Sequence, residues 1–216
     1  MMVDLLFYIC VVVLACACGV AAWRYKMLDK GARLLFYMYM ASLGCELSAV
    51  LRYYWPQLKN PCYHVYNLVE LIIITMYFMY TVGVRKRLLL IVLCLIYLGV
   101  EIFNTIYFQP LSAVNTNVIT FECFMVIPMA LYSLYRILIN DNISKIQNYV
   151  HFWFWTFFLV YFSSSFFFWQ FIIYFYRHDK LFYTISIYGH IIVNLAVYTG
   201  VLLTYLRYPK MARNGA

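Results

Sequence analysis

Seven long apolar stretches, broken only by short polar seams, leave this chain very few possible folds. They run over roughly 4–23, 35–54, 63–83, 88–108, 117–138, 149–176 and 182–206. Each is too long for a strand and none alternates with period two, so each reads as a helix. Only 11% of the 216 residues are charged, against about 25% in a soluble domain, and 66% are hydrophobic. A soluble fold of this size cannot bury that much apolar surface, and the same composition excludes disorder. What remains is a membrane protein, whose backbone must satisfy its own hydrogen bonds as continuous helix. The expectation is an all-α bundle: one seven-helix transmembrane domain over 1–216, with no soluble domain.

The seams carry turn or charge signals: Asp29-Lys30-Gly31, Lys59-Asn60-Pro61, Arg85-Lys86-Arg87, Gln109-Pro110, Asn140-Asp141-Asn142 and Arg177-His178-Asp179-Lys180. The sixth stretch, at about 28 residues or ~42 Å, exceeds the ~30 Å hydrocarbon core and is expected to tilt or project. Pro128 falls inside the fifth and is expected to kink it.

Lys and Arg set the orientation. With the N-terminus outside, the cytoplasmic seams and tail hold twelve of the sixteen and the opposite side four: Arg52, Lys59, Arg177 and Lys180. The bias supports an odd number of helices, N-out and C-in. It also absorbs most of the +8 net charge, so nucleic acid is not an expected partner. Val13-Leu14-Ala15-Cys16 resembles a lipoprotein cleavage site. A signal peptide begins with a basic region, however, and here the basic residues follow the segment, so the first helix is expected to be retained. The seven cysteines match no zinc or redox spacing; they read as small apolar side chains.

The most informative residues are the acids. The aspartates keep to chain ends and seams, but Glu46, Glu70, Glu101 and Glu122 each lie within a different apolar stretch. A carboxylate at mid-membrane costs about 2.5–3.5 kcal/mol on insertion scales, so four of them imply a polar interior, protonation, or both. The alternating helix directions place all four in the outer half of the bilayer. His64, Asn67 and Glu70 share one helix face, and Tyr97, Glu101 and Asn104 share another. Ser186, His190, Asn194 and Tyr198 form a four-residue stripe in the seventh helix. Ser163-Ser164-Ser165 and Gln170 mark the sixth, and Asn115, Asn117 and Thr120 flank Glu122. The expected ligand-lining set is Glu46, His64, Asn67, Glu70, Glu101, Asn104, Glu122, Ser186, His190 and Asn194. Against it stands the plainer reading of polar residues as helix-to-helix bonds, with Arg52 or Lys59 neutralising a glutamate. The run His151-Phe152-Trp153-Phe154-Trp155 reads as an interfacial aromatic belt.

Several of these landmarks resemble a family of small seven-helix membrane proteins from Bacteroidetes-type bacteria. They are Asn67 with Glu70, Glu101-Ile102-Phe103-Asn104 leading to Gln109, Asn115, Glu122, Phe152-Trp153 followed by Tyr161-Phe162-Ser163-Ser164-Ser165, and His190-Ile191-Ile192-Val193-Asn194. The resemblance implies a multi-pass protein of the bacterial inner membrane, often a companion of sensor histidine kinases. It supplies no catalytic residues.

Three functions compete. A receptor or sensor subunit would take a small molecule, lipid or proton into the outer pocket and report to a sensor kinase or other membrane partner. A proton-coupled transporter would use the carboxylates as relays, although the inner half shows few ionisable residues. A metal-dependent hydrolase would need His64, His190 and glutamates to converge, without a close His-Glu motif. Retinal chemistry needs a lysine amine inside the bundle, and the seventh stretch has none between Phe182 and Leu206. No cofactor is expected.

Overall fold

A computed structural model describes residues 2–51, 59–84, 87–113, 115–140 and 145–214. Seven α-helices account for nearly all of them: α1 Met2–Trp23, α2 Lys30–Val50, α3 Lys59–Val82, α4 Arg87–Tyr107, α5 Thr116–Leu138, α6 Val150–His178 and α7 Lys180–Asn214. There is no strand among the described residues. Six helices are long and apolar enough to cross a membrane; α2 is not among them. Arg33 and Glu46 lie within its 21 residues and lower its hydropathy.

Most boundaries fall within a few residues of those expected, and the departures have local causes. Asp29-Lys30-Gly31 is a helix start rather than a seam. The Asp29 carboxylate accepts from the Ala32 N–H at 2.7 Å, so α2 begins at Lys30. Lys59-Asn60-Pro61 is likewise the first turn of α3, where proline is tolerated because those N–H groups have no helical partner. That helix closes on Gly83, at φ +76°, with the Val84 N–H bonded back to the Met79 carbonyl, a C-terminal motif that suits glycine. Residues 52–54, Arg85, Lys86, Asp141 and Asn142 lie outside the described residues.

The seventh helix departs most. It continues through Pro209 to Asn214, 35 residues or ~52 Å, and so outruns the ~30 Å hydrocarbon core. Proline has no N–H for the Tyr205 carbonyl four residues back. The Arg24 guanidinium supplies a donor instead, 3.0 Å from Tyr205 O, and also reaches Leu206 O.

Helix α7 packs against α1 and α6, α6 against α5, and α2 against α3, which also touches α4 and α5. The apolar core runs along α1, α2, α3, α5, α6 and α7 through Leu14, Leu35, Ile74, Val126, Phe154 and Val201, all without solvent exposure. Helix α4 stands at the edge. Of its described residues only Tyr97 and Asn104 are buried, and Leu88, Ile91, Leu95, Ile102 and Ile106 point outward. The expected belt at the start of α6 is only partly a belt. Phe152 and Trp153 are half-buried, but His151, Phe154 and Trp155 face the core.

Candidate functional site

Polar side chains gather at two ends of the bundle. At one end the last turns of α2 and α4 meet the first turns of α3 and α5, and here the four glutamates come together. Glu46 and Glu70 lie within charge–charge range, as do Glu70 and Glu122, and Glu122 and Glu101. The four helices therefore do converge their carboxyls.

Within that end two clusters differ. In the first, every strong group is engaged. His64 Nδ1 pairs with Glu101 at 2.5 Å, and its Nε2 lies 3.3 Å from the Ala113 carbonyl. The Asn115 amide donates to both Glu101 oxygens, at 2.9 and 2.8 Å. Asn104 donates to Asn115 Oδ1 at 2.8 Å and accepts from Asn117 at 2.9 Å. Gln109 accepts from Asn104 and donates to Thr116 at 2.7 Å. The turn after α4 is pinned by the Ala113 N–H on Pro110 O at 2.7 Å. These bonds fasten α4 and its turn to α3 and α5.

The second cluster is deeper and incompletely bonded. Glu70 accepts from the Tyr66 hydroxyl at 2.8 Å. It lines a cavity of about 20 Å³ with Ser42, Tyr66, Tyr161 and Tyr198, room for about one water. Glu122 is 1% exposed, yet its Oε1 has no hydrogen-bond partner among the described residues. The Tyr97 hydroxyl and the Asn67 Nδ2 are buried without partners too. Tyr97 lies within electrostatic range of Glu122, Glu101 and Glu70. Glu46 sits at the margin and accepts from Tyr63 at 3.2 Å.

The stripe on α7 divides. Tyr198 joins Glu46 and Glu70. His190 is enclosed by the rings of Trp169, Phe168 and Tyr161, at 5.4, 5.7 and 6.3 Å, with Nδ1 unpartnered. Asn194 Oδ1 and Ser165 Oγ are also unpartnered. Ser186 is half-buried nearer the start of α7 and makes no hydrogen bond among the described residues. His64 and His190 thus sit in different surroundings, and among the described residues no three His, Cys, Asp or Glu side chains form a metal-sized group. The expected neutralisation of a glutamate by Arg52 or the Lys59 side chain lies outside the described residues.

The opposite end holds a cluster that the sequence does not disclose. His151 bridges α3 and the α1–α2 turn: Nδ1 lies 2.8 Å from the Tyr77 hydroxyl, and Nε2 lies 2.9 Å from Asp29 Oδ2. Nε2 donates to the Asp29 carboxylate, and Nδ1 meets the Tyr77 hydroxyl. The Asp29 N–H donates to the Tyr208 oxygen at 2.9 Å. Burial opposes charge on the Asp29 carboxyl. The His151 hydrogen bond and charge, the Ala32 N–H and Tyr208 outweigh it and hold the carboxyl below the usual range. Tyr77 also stacks on Trp155 at 5.0 Å. The one readable signal is Asp29 three residues before Ala32, a helix-cap spacing; nothing local pairs it with residue 151.

No protein family, no curated protein and no solved structure matches this chain.

Proposed function

We propose that this chain is the ligand-binding subunit of a membrane sensor, with its site among Glu70, Glu122, Tyr97 and Asn67. The single observation that supports this is the Glu122 carboxyl, enclosed beside two other carboxyls with an oxygen that nothing among the described residues satisfies. Burying several carboxyls together requires protons or cations to balance them. A small cationic ligand or a proton fits that demand better than an anion. In this reading the bundle spans the membrane seven times, with α2 as the second span. The N-terminus and the glutamate end lie outside the bacterial inner membrane, as the lysine and arginine bias favours. The output passes to a sensor kinase or another membrane partner, since a ligand signals only by binding two conformations unequally.

The Asp29–His151–Tyr77 cluster favours one second reading, proton-coupled transport. Ionisable groups stand at that end as well. Tyr39, within range of Glu70, and Tyr205, within range of Tyr39 and Asp29, lie between the two ends.

Native mass spectrometry of the full chain in mild detergent, wild type beside Glu122→Gln, tests the site. A small bound species in the wild type alone is the expected result. Ordinary lipid alone in both, together with an unfolding temperature of the wild type that is independent of added monovalent cations and of pH between 5 and 8 (roughly the range around neutrality), would overturn it. Proton uptake into vesicles containing the protein would move the assignment to transport.

A further inference from the structure

A cavity of about 700 Å³ opens between the start of α6 and the last turns of α7, at the end opposite the glutamates. Its size is that of a small-ligand site. Its lining has two halves. Phe157, Gly200 and Leu203 form an apolar wall, and Gln147, Arg207 and Lys210 form a polar, cationic one, with no acidic residue among the described lining residues. Arg207 and Lys210 stand three residues apart and share a face of α7. Both are exposed, and neither has an ion pair or hydrogen bond among the described residues.

Two of the surrounding polar groups are already settled. Trp153 Nε1 donates to the Gln147 carbonyl at 2.8 Å, which fixes the indole at the mouth. The Thr204 hydroxyl turns to its own helix, 2.8 Å from Gly200 O. Phe157 seats on Gly200, where a Cβ would lie 2.5 Å from the ring. Two free cations therefore remain beside an apolar wall, at the level where α7 passes out of its apolar stretch.

We propose that this cavity holds an anionic phospholipid, with Arg207 and Lys210 on its phosphate and Phe157 and Leu203 against its acyl chain. The pairing of charge and apolar surface matches an amphiphile. A free phosphate would leave the apolar wall unused. Basic pockets between helices at the membrane surface bind lipid headgroups by this chemistry. The inference stands apart from the glutamate site, and neither depends on the other.

The full chain in mild detergent is equilibrated with equimolar phosphatidylglycerol and phosphatidylcholine, and retained lipid is read by native mass spectrometry. The wild type should retain phosphatidylglycerol preferentially. Arg207→Gln with Lys210→Gln should lower that preference roughly 30-fold, the loss expected for two interfacial cations. Arg207→Lys with Lys210→Arg should keep most of it, which separates lost charge from lost folding. Lys26→Gln with Lys30→Gln removes equal charge from the same end outside the cavity and should change little. Equal retention of the two lipids would overturn the assignment, as would an equal loss from the Lys26 and Lys30 variant. So would thermal stabilisation by inorganic phosphate alone that matches phosphatidylglycerol.

Discussion

The His64–Glu101–Asn115 network and the Glu70–Glu122–Tyr97 cluster are neighbours built from similar residues, and they do opposite things with them. In the first, one carboxylate makes three hydrogen bonds, one to His64 and two to Asn115, and the flanking amides are bonded to each other. In the second, a carboxyl oxygen, a phenol and an amide nitrogen are buried with no partner among the described residues. The difference follows from what each must hold. Helix α4 buries only Tyr97 and Asn104 among its described residues. Lipid tails give apolar helices no hydrophobic reason to associate, so an edge helix is held by packing and polar bonds. The first cluster supplies those bonds. Around the second, α3 and α5 already pack on each other and on other helices, and its polar groups are surplus to assembly. In the proposed reading the satisfied cluster is the fastening, and the unsatisfied one is left for a ligand.

The strongest way to break this distinction is Glu101→Ala. It leaves His64 Nδ1 and the Asn115 amide without their acceptor, and each buried group left unsatisfied costs about 1–3 kcal/mol. Glu101 is 12% exposed on its side chain, so a combined cost of about 3 kcal/mol is expected. Thermal unfolding in detergent measures it, and hydrogen exchange should show the loss concentrated in α4 and its following turn. An unchanged unfolding temperature would make the network decorative.

A smaller effect tests whether the rule extends to the other end. The Asp29–His151–Tyr77 cluster is also fully bonded, so it too should be a fastening. Asn in place of Asp29 can still cap the Ala32 N–H but cannot offer His151 a charge. Because Asp29 is partly exposed, Asp29→Asn should cost about 1 kcal/mol at neutral pH. The sign of its pH dependence is fixed. The folded-state value lies below the unfolded one, so the contribution is complete above about pH 3.9 and is lost as pH falls through the folded value. The wild type should therefore lose more stability on that acid limb than Asp29→Asn does. Identical acid limbs would remove Asp29 from the fastening.

Much of this is legible in the amino-acid sequence, and the remainder is hidden for a definite reason. Helix positions follow from apolar runs, and spacing by three or four puts Asn67 with Glu70 and Glu101 with Asn104 on shared faces. Spacing cannot say which face meets which. His64 and Glu70 share a stripe on α3, yet His64 bonds Glu101 on α4 while Glu70 turns to Tyr66 and the Tyr198 side of the bundle. The α7 stripe likewise splits between the glutamates and an aromatic enclosure. Tyr39, Tyr66 and Tyr161 cannot be singled out, because tyrosine occurs 23 times in the chain. His151 looks interfacial because only a contact 122 positions away reveals its role. Asp29 is readable as a helix cap, and taking it as a seam misplaces the start of α2.

The smallest expected effect carries the sharpest sign. Tyr97 is wholly buried, and its hydroxyl has no partner among the described residues. Tyr97→Phe keeps the ring and removes only that oxygen. If the hydroxyl waits for a ligand, the ligand-free protein loses nothing on its removal and gains the avoided desolvation, at most about 1 kcal/mol. The unfolding temperature should then stay level or rise slightly, while any small species bound to the wild type is held less tightly. If the hydroxyl instead serves the fastening through a bound water, its loss should destabilise the ligand-free protein by about 1 kcal/mol. The same substitution at Tyr77, whose hydroxyl does meet His151, should lower stability. A level or rising unfolding temperature at Tyr97 beside a falling one at Tyr77 separates the two kinds of buried polarity by sign, without knowledge of the ligand. A fall at both would reduce the glutamate end to a second fastening.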